Sequence, residues 1–292
     1  MQVSRVTPQL HRFHDGGTPS EPPDRGAAPR IVLERLTERG AEEFRLERRI
    51  GYDDRELGEL LVPADGAFRT DLTSVPWLFT WLVPKTGAHL PAALLHDGLV
   101  GGADGPASYV STEGHVVHRD VADRVFRDAM ADTGTGPVRR WLVWTAVATA
   151  TIFVGSGGWS RARTWAHRVA AATTIAVVVV VGTLATVDLL DAGVALPWMG
   201  ERPWWSELVG GAAGAVAIPF LLGLAWGRFR VAGAVLGVLL ALLLHVTVAL
   251  LLLTGLYQAV ERLARASPTL GAVLGGSAVA AALMVFATYA LF

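Results

Sequence analysis

The chain has no cysteine and one lysine, Lys85, among 292 residues. Without cysteine there are no disulfides and no thiolate metal sites, and the redox compartment is left open. The near absence of lysine, beside abundant Ala, Val, Gly and Arg, points to a GC-rich bacterial gene. Charge of either sign is scarce after position 168, where only Arg202, Arg228, Arg230, Arg262 and Arg265 stand beside Asp188, Asp191, Glu201, Glu207 and Glu261. Taking these from the 25 basic and 26 acidic residues leaves 20 and 21 in the first 168 positions, a balanced surface. No basic excess exists to attract nucleic acid, so none is expected as a partner. An apolar signal region is also missing at the N-terminus, so no cleaved signal peptide is expected.

The charge-poor region holds four long apolar runs, 169–187, 208–227, 231–260 and 266–292. A bilayer core about 30 Å thick needs roughly 20 apolar residues in a helix. The sequence therefore predicts a multi-pass membrane protein whose partner is the lipid bilayer. The expected fold class is an α+β soluble head, short antiparallel strands followed by about three helices, joined to an all-α transmembrane bundle of four helices. The expected boundaries are a disordered tail at 1–28, a head at 29–160, a basic linker at 161–168 and a membrane domain at 169–292, with spans about 169–187, 208–227, 233–257 and 269–291.

Within the head, Phe44 and Leu46 alternate with charged residues as in a strand, and Pro63 with Asp65-Gly66 reads as a hairpin signal in ELLVPADGAFRTDL. A first helix starts at Pro91, a favourable first-turn residue. A second runs from about His118 to Thr133, ended by TGTGP, and a third from Val138 to about Val154. The stretch 141–160 is charge-free too, but Gly155, Gly157 and Gly158 interrupt it after about 14 apolar residues, short for a crossing. It reads as a buried or membrane-surface helix closing the head; as a fifth span it would move the head across the membrane.

Arg161, Arg163 and Arg168 precede the first span, and Arg228 and Arg230 separate the second from the third. The first-to-second loop is acidic and carries Trp198, Trp204 and Trp205 as interfacial anchors. The bias of positive charge toward the inside then places the head in the cytoplasm, at a bacterial plasma (inner) membrane. Arg262 and Arg265 count against that orientation. Small-residue pairs, Gly210/Gly214, Gly233/Gly237 and Gly271/Gly275, allow close helix approach, in a compact bundle or a homo-oligomer through those faces. His245, near the middle of the third run, is the one ionisable residue deep in a span; it reads either as a transport residue or as a hydrogen-bonded neutral histidine.

Three motifs in the head stand in order: F-R-T-D-L-T-S-V-P from Phe68, A-A-L-L-H-D-G-L-V from Ala92, and A-D-R-V-F-R-D-A-M from Ala122. Together with the Gly/Trp-rich end of the third helix, they resemble the bacterial and phage family catalogued as domain of unknown function 1353, over about residues 43–160. One departure is Val100, where that family usually has Tyr. Helical periodicity puts Ala92, Leu95, His96, Leu99 and Val100 on one arc and so turns His96 toward the core. A buried imidazole needs a partner for a ring nitrogen, and Asp123 on the second helix is the natural one. Asp97 and Asp71 would be oxygen ligands for a divalent cation such as calcium.

The His-Asp pair facing an Ala-Asp on another helix is also similar to secreted and viral phospholipases A2. That likeness implies His96 as the base, Asp123 as the carboxylate orienting it and Asp97 as a metal ligand. The glycine-rich calcium loop of those enzymes is missing, and Val100 stands where their Tyr would be. The further histidines, His89, His115 and His118, make no metal-ligating set. An ordinary structural account stands beside the functional one. Arg119 and Asp123 have the spacing of a helix ion pair, Asp97 suits a local cap, and Asp71 with Ser74 before Pro76 suits a turn. The two head functions are thus a metal-assisted hydrolase acting near the membrane, or a non-catalytic membrane-tethered binding or structural module of phage-related ancestry.

Overall fold

The computed structural model describes residues 12–38, 41–72, 86–101, 106–193 and 195–267. The chain divides into one compact unit over Met1–Leu242 and another over Leu243–Phe292. The first unit begins with seven short strands: β1 (Phe13–Asp15), β2 (Leu33–Glu38), β3 (Ala41–Leu46), β4 (Ile50–Asp54), β5 (Gly58–Val62), β6 (Arg69–Thr70) and, after helix α1 (Leu90–Val100), β7 (Val110–Ser111). They form two antiparallel sheets, ordered β1-β4-β5-β7 and β2-β3-β6.

The register of β4 on β5 explains the larger sheet. Ile50 pairs with Val62 and Tyr52 with Leu60 on the face toward the helices, and all four are fully buried. The same alternation sets Asp53 opposite Glu59 on the other face, a like-charge pair that destabilises a sheet by itself. Residues 12–28 supply the remedy. His14 Nε2 lies 3.1 Å from Glu59 Oε1, Arg25 Nε donates to the same oxygen at 3.0 Å, and the Arg25 guanidinium sits 3.6 Å from Asp53. Phe13 meanwhile enters the core against Tyr52, ring centroids 4.7 Å apart. The disordered tail expected at 1–28 is thus corrected for its described part, which forms β1 and a charged strap. The hairpin expected around Asp65-Gly66 is corrected too: β5 and β6 lie in different sheets, and Asp65 instead accepts from the Ala67 N–H at 2.9 Å in a local turn.

Helix α1 lies across this sheet, buried from Ala92 to Leu99. Its approach to β5 depends on Gly98, where a Cβ would overlap the Val62 methyls. Helix α2 (Arg119–Asp132) packs on α1 and on α3 (Pro137–Val154). All three match the expected helices within two residues. Helix α3 also packs against α4 (Arg161–Leu189) and α6 (Arg230–Leu242), so it joins the head to the apolar helices as well as closing the head. The basic stretch 161–168 is the start of α4, capped by the Ser160 hydroxyl.

Helix α5 (Trp204–Leu224) follows α4, and a 3-10 turn (Gly227–Phe229) leads into α6. Trp226 is fully buried, with its Nε1 donating to Thr174 Oγ1 at 2.9 Å. Gly233 makes room for the Trp226 ring, Gly237 for Pro219, and Gly210 and Gly214 for Trp198. These small residues are therefore taken up by packing inside the chain; Gly271 and Gly275 lie outside the described residues.

Among the described residues three helices are long and apolar enough to cross a bilayer: Arg161–Leu189, Trp204–Leu224 and Leu244–Ala266. The expected third span, 233–257, is corrected to two helices, the 13-residue α6 and α7 (Leu244–Ala266), with the break at Leu243. His245 accordingly stands in the first turn of α7, exposed, rather than mid-span. The fourth expected span, 269–291, lies outside the described residues. In the second unit α7 carries an apolar face of exposed leucines and ends on the Glu261–Arg265 ion pair.

Close packing at Gly98 makes a test. Gly98→Ala should destabilise the head by about 1–3 kcal/mol through overpacking. Combined with Val62→Ala, it should cost less than the sum of the single changes. Thermal unfolding of the three variants measures the coupling; strict additivity would show that this contact does not limit the approach.

Candidate active site

Burial of α1 on every side leaves its two polar residues with no solvent to satisfy them. His96 is 7% exposed and its Nε2 lies 2.9 Å from Asp123 Oδ1, on a carboxylate only 1% exposed. A carboxylate can only accept, so Nε2 carries the proton, and in the neutral ring Nδ1 is the acceptor nitrogen. Phe126, one turn beyond Asp123, packs on the imidazole with ring centroids 4.9 Å apart. The second oxygen, Asp123 Oδ2, is buried without a hydrogen-bond partner among the described residues. Asp123 lies within the buried face of α2, and Arg119 does not pair with it: the Arg119 guanidinium reaches the Val100 carbonyl at 3.5 Å. The helix ion pair of the ordinary account is therefore absent.

Asp97, 6% exposed, is held by the F-R-T-D motif. Thr70 Oγ1 donates to Asp97 Oδ2 at 2.6 Å and accepts from the Leu72 N–H at 2.9 Å. One hydroxyl thus ties β6, the following turn and α1 together. Leu72 takes a φ of 73°, a left-handed conformation costly for a leucine and sustained only by its surroundings. Burial pushes the Asp97 carboxyl up to about 6, a rise the Asp71 charge reinforces against the opposing effects of Thr70, His96 and Arg119. Asp71 is half-buried beside it. Thr70 was not singled out in the sequence, although its place in the motif was the available signal; Ser74 and Pro76 of that motif lie outside the described residues.

The other polar groups fall elsewhere. His115 pairs with Glu113 at the surface, His118 precedes α2 and packs on Gly157 and Gly158, and His89 is buried ahead of α1. His14, Asp53 and Glu59 are the three side chains among the described residues whose ligand atoms converge, all within 4.8 Å, and Arg25 already pairs with both carboxylates. Asp97 and Asp71 belong to no such threesome there.

One group that sequence reasoning missed anchors the dyad-bearing helix. Asp120, one turn before Asp123, is buried at the start of α2. Burial alone would push its carboxyl up. Instead Ser156 Oγ donates to it at 2.7 Å, Trp159 Nε1 at 3.2 Å, and Arg228 pairs with it, so it is held below the usual carboxylate range. Ser156 and Trp159 come from the loop between α3 and α4, and Arg228 from the turn between α5 and α6.

The raised Asp97 carboxyl has a pH signature. An acid whose folded pKa exceeds its unfolded value costs nothing below the unfolded value of 3.8 and progressively destabilises as pH rises toward about 6. Asp97→Asn should therefore stabilise the metal-free protein by up to about 3 kcal/mol at neutral pH and hardly at all near pH 4. Thermal unfolding in chelator across that range is the check; equal effects at both ends would refute the charge argument.

No curated protein and no solved structure matches the chain. The model of a family described as Protein of unknown function (DUF1353) matches residues 44–147. That stretch contains Thr70-Asp71, His96-Asp97 and Ala122-Asp123, the pairs that meet around the dyad. Residues 44–147 of this chain are a DUF1353 domain.

Proposed function

We propose that the head is a metal-assisted hydrolase acting on a lipid or another ester near the membrane surface, with the chain in a bacterial plasma membrane and the head on the cytoplasmic side. The observation carrying this reading is the 2.9 Å bond between His96 and Asp123, buried beside a carboxyl whose proton affinity is raised. His96 Nδ1 would take the proton of the attacking water. Asp123 would hold the tautomer that leaves Nδ1 free to accept, and would stabilise the imidazolium that follows. Asp97 and Asp71 are the carboxylates for a hard divalent cation such as calcium, which would polarise the scissile carbonyl. Their mutual repulsion in a buried setting is what such a charge relieves. The location of the dyad supports a membrane-proximal substrate: Asp123 is one helical turn from Asp120, which is bonded to the turn between α5 and α6.

His96→Ala should lower hydrolysis of a phospholipid or short-chain ester by about 10²–10⁴-fold, measured below the variant's unfolding transition, which falls because Asp123 is left buried without its partner. Calcium chelation should lower it as well. Full turnover in His96→Ala would remove the dyad from catalysis. The second reading, a membrane-tethered module without catalysis, is favoured by the near-complete burial of both dyad residues, and absence of both turnover and divalent-cation binding in calorimetry would select it. The orientation is tested separately: a protease added to intact cells stripped of their outer layers should spare the head, and cleavage there would place it outside.

A further inference from the structure

Five arginines crowd the junction between the head and the apolar helices: Arg161, Arg163 and Arg168 at the start of α4, and Arg228 and Arg230 at the turn into α6. Neither stretch, 155–168 or 225–235, contains an acid. The carboxylate that reaches the group is Asp120, and it meets Arg228. Arg168 is engaged by the last carbonyls of α3, Phe153 and Val154, and lies over the exposed Trp165 ring. Arg161, Arg163 and Arg230 make no ion pair and no side-chain hydrogen bond among the described residues, and Arg161 and Arg163 are exposed with Arg230.

Two of these charges share one level of the fold. Arg163 and Arg228, from different elements, both act electrostatically on His167. The His167 ring lies between Trp159 and Phe229, with centroids 4.9 and 5.4 Å away, and its Nε2 is buried without a hydrogen-bond partner among the described residues. An aromatic floor therefore underlies a cationic rim where α4 and α5 emerge. Exposed like charges repel one another, and among the described residues Asp120 is the carboxylate that pairs with one of them. A layer of anions at that depth would pair with the rest.

We propose that this collar is a headgroup site for anionic phospholipid, such as phosphatidylglycerol, in the leaflet on the side of the head. Headgroup phosphates sit against Arg161, Arg163 and Arg230 around the collar, while the acyl chains run along the exposed valines and leucines of α4 and α5. Arg228 remains with Asp120. The site is independent of the hydrolytic reading and holds for a catalytic or a silent head.

The test uses the full chain in lipid nanodiscs of phosphatidylcholine alone or mixed with phosphatidylglycerol, followed by thermal unfolding. Anionic lipid should raise the unfolding temperature by several degrees, since a ligand that binds the folded state stabilises it. The combined variant Arg161→Gln, Arg163→Gln and Arg230→Gln should lose more than half of that rise. Arg139→Gln, at the opposite end of α3, should keep all of it. Millimolar glycerol phosphate added to the phosphatidylcholine discs should produce no rise. An unfolding temperature blind to phosphatidylglycerol, or a full rise in the triple variant, overturns the proposal. So does a rise with glycerol phosphate equal to that with lipid, which would mark a site for free phosphate esters. If the triple variant unfolds without lipid, Arg163→Gln alone is used, with a partial loss expected and a full rise counting against the site.

Discussion

Complete enclosure of one helix sets the terms for this head. Helix α1 has the larger sheet beneath it and α2 beside it, so every polar group it carries must be satisfied by protein. His96 and Asp97 are adjacent in sequence and point about 100° apart around the helix axis, so one partner cannot serve both. Asp123 on α2 meets the imidazole, and Thr70 on β6 meets the carboxyl. The three motifs thus converge because each supplies a hydrogen bond that another would otherwise lack. The bonds are unequal. The carboxylate–imidazole contact is charge-assisted, whereas Asp97 accepts from a neutral hydroxyl, and that bond with the more distant His96 and Arg119 does not offset its burial, so its proton affinity stays high.

The same enclosure links the head to the apolar helices. Helix α2 is fixed at its start by Asp120, whose partners come from two loops at the base of the helical region. Helix α3 extends that connection by packing on α2 at one face and on α4 and α6 at others. Head and helices through Leu242 accordingly form one compact unit rather than a globule on a tether. The glycines of α5 and α6 serve this unit, since Trp198, Trp226 and Pro219 fill the space a side chain would occupy.

Much of the secondary structure was legible because its signals are local. Pro91 opens a helix, Gly155 follows the end of α3, and Phe44 and Leu46 alternate with charged residues in β3. Helical periodicity turned His96 inward and made Asp123 its natural neighbour. Other features left no local trace. Nothing in LLALLLHV, free of Gly and Pro, marks the break at Leu243. Pro63 with Asp65-Gly66 signals a turn correctly but cannot say that the strands on either side enter different sheets. Residues 12–28 look like a solvated tail by composition, and their order comes from charges on strands far along the chain.

By itself, then, the sequence determined the division into a charge-balanced head and a charge-poor helical region, the positions of the helices and the direction in which His96 faces. These follow from solvent preference and from backbone periodicity, which act over a few residues. The tertiary structure alone decided that Thr70 holds Asp97, that Asp120 is bound by Ser156, Trp159 and Arg228, and that His14 and Arg25 offset the opposed acids of β4 and β5. Each of those choices joins residues distant in the chain, and a buried polar group finds its partner only when packing brings the two together.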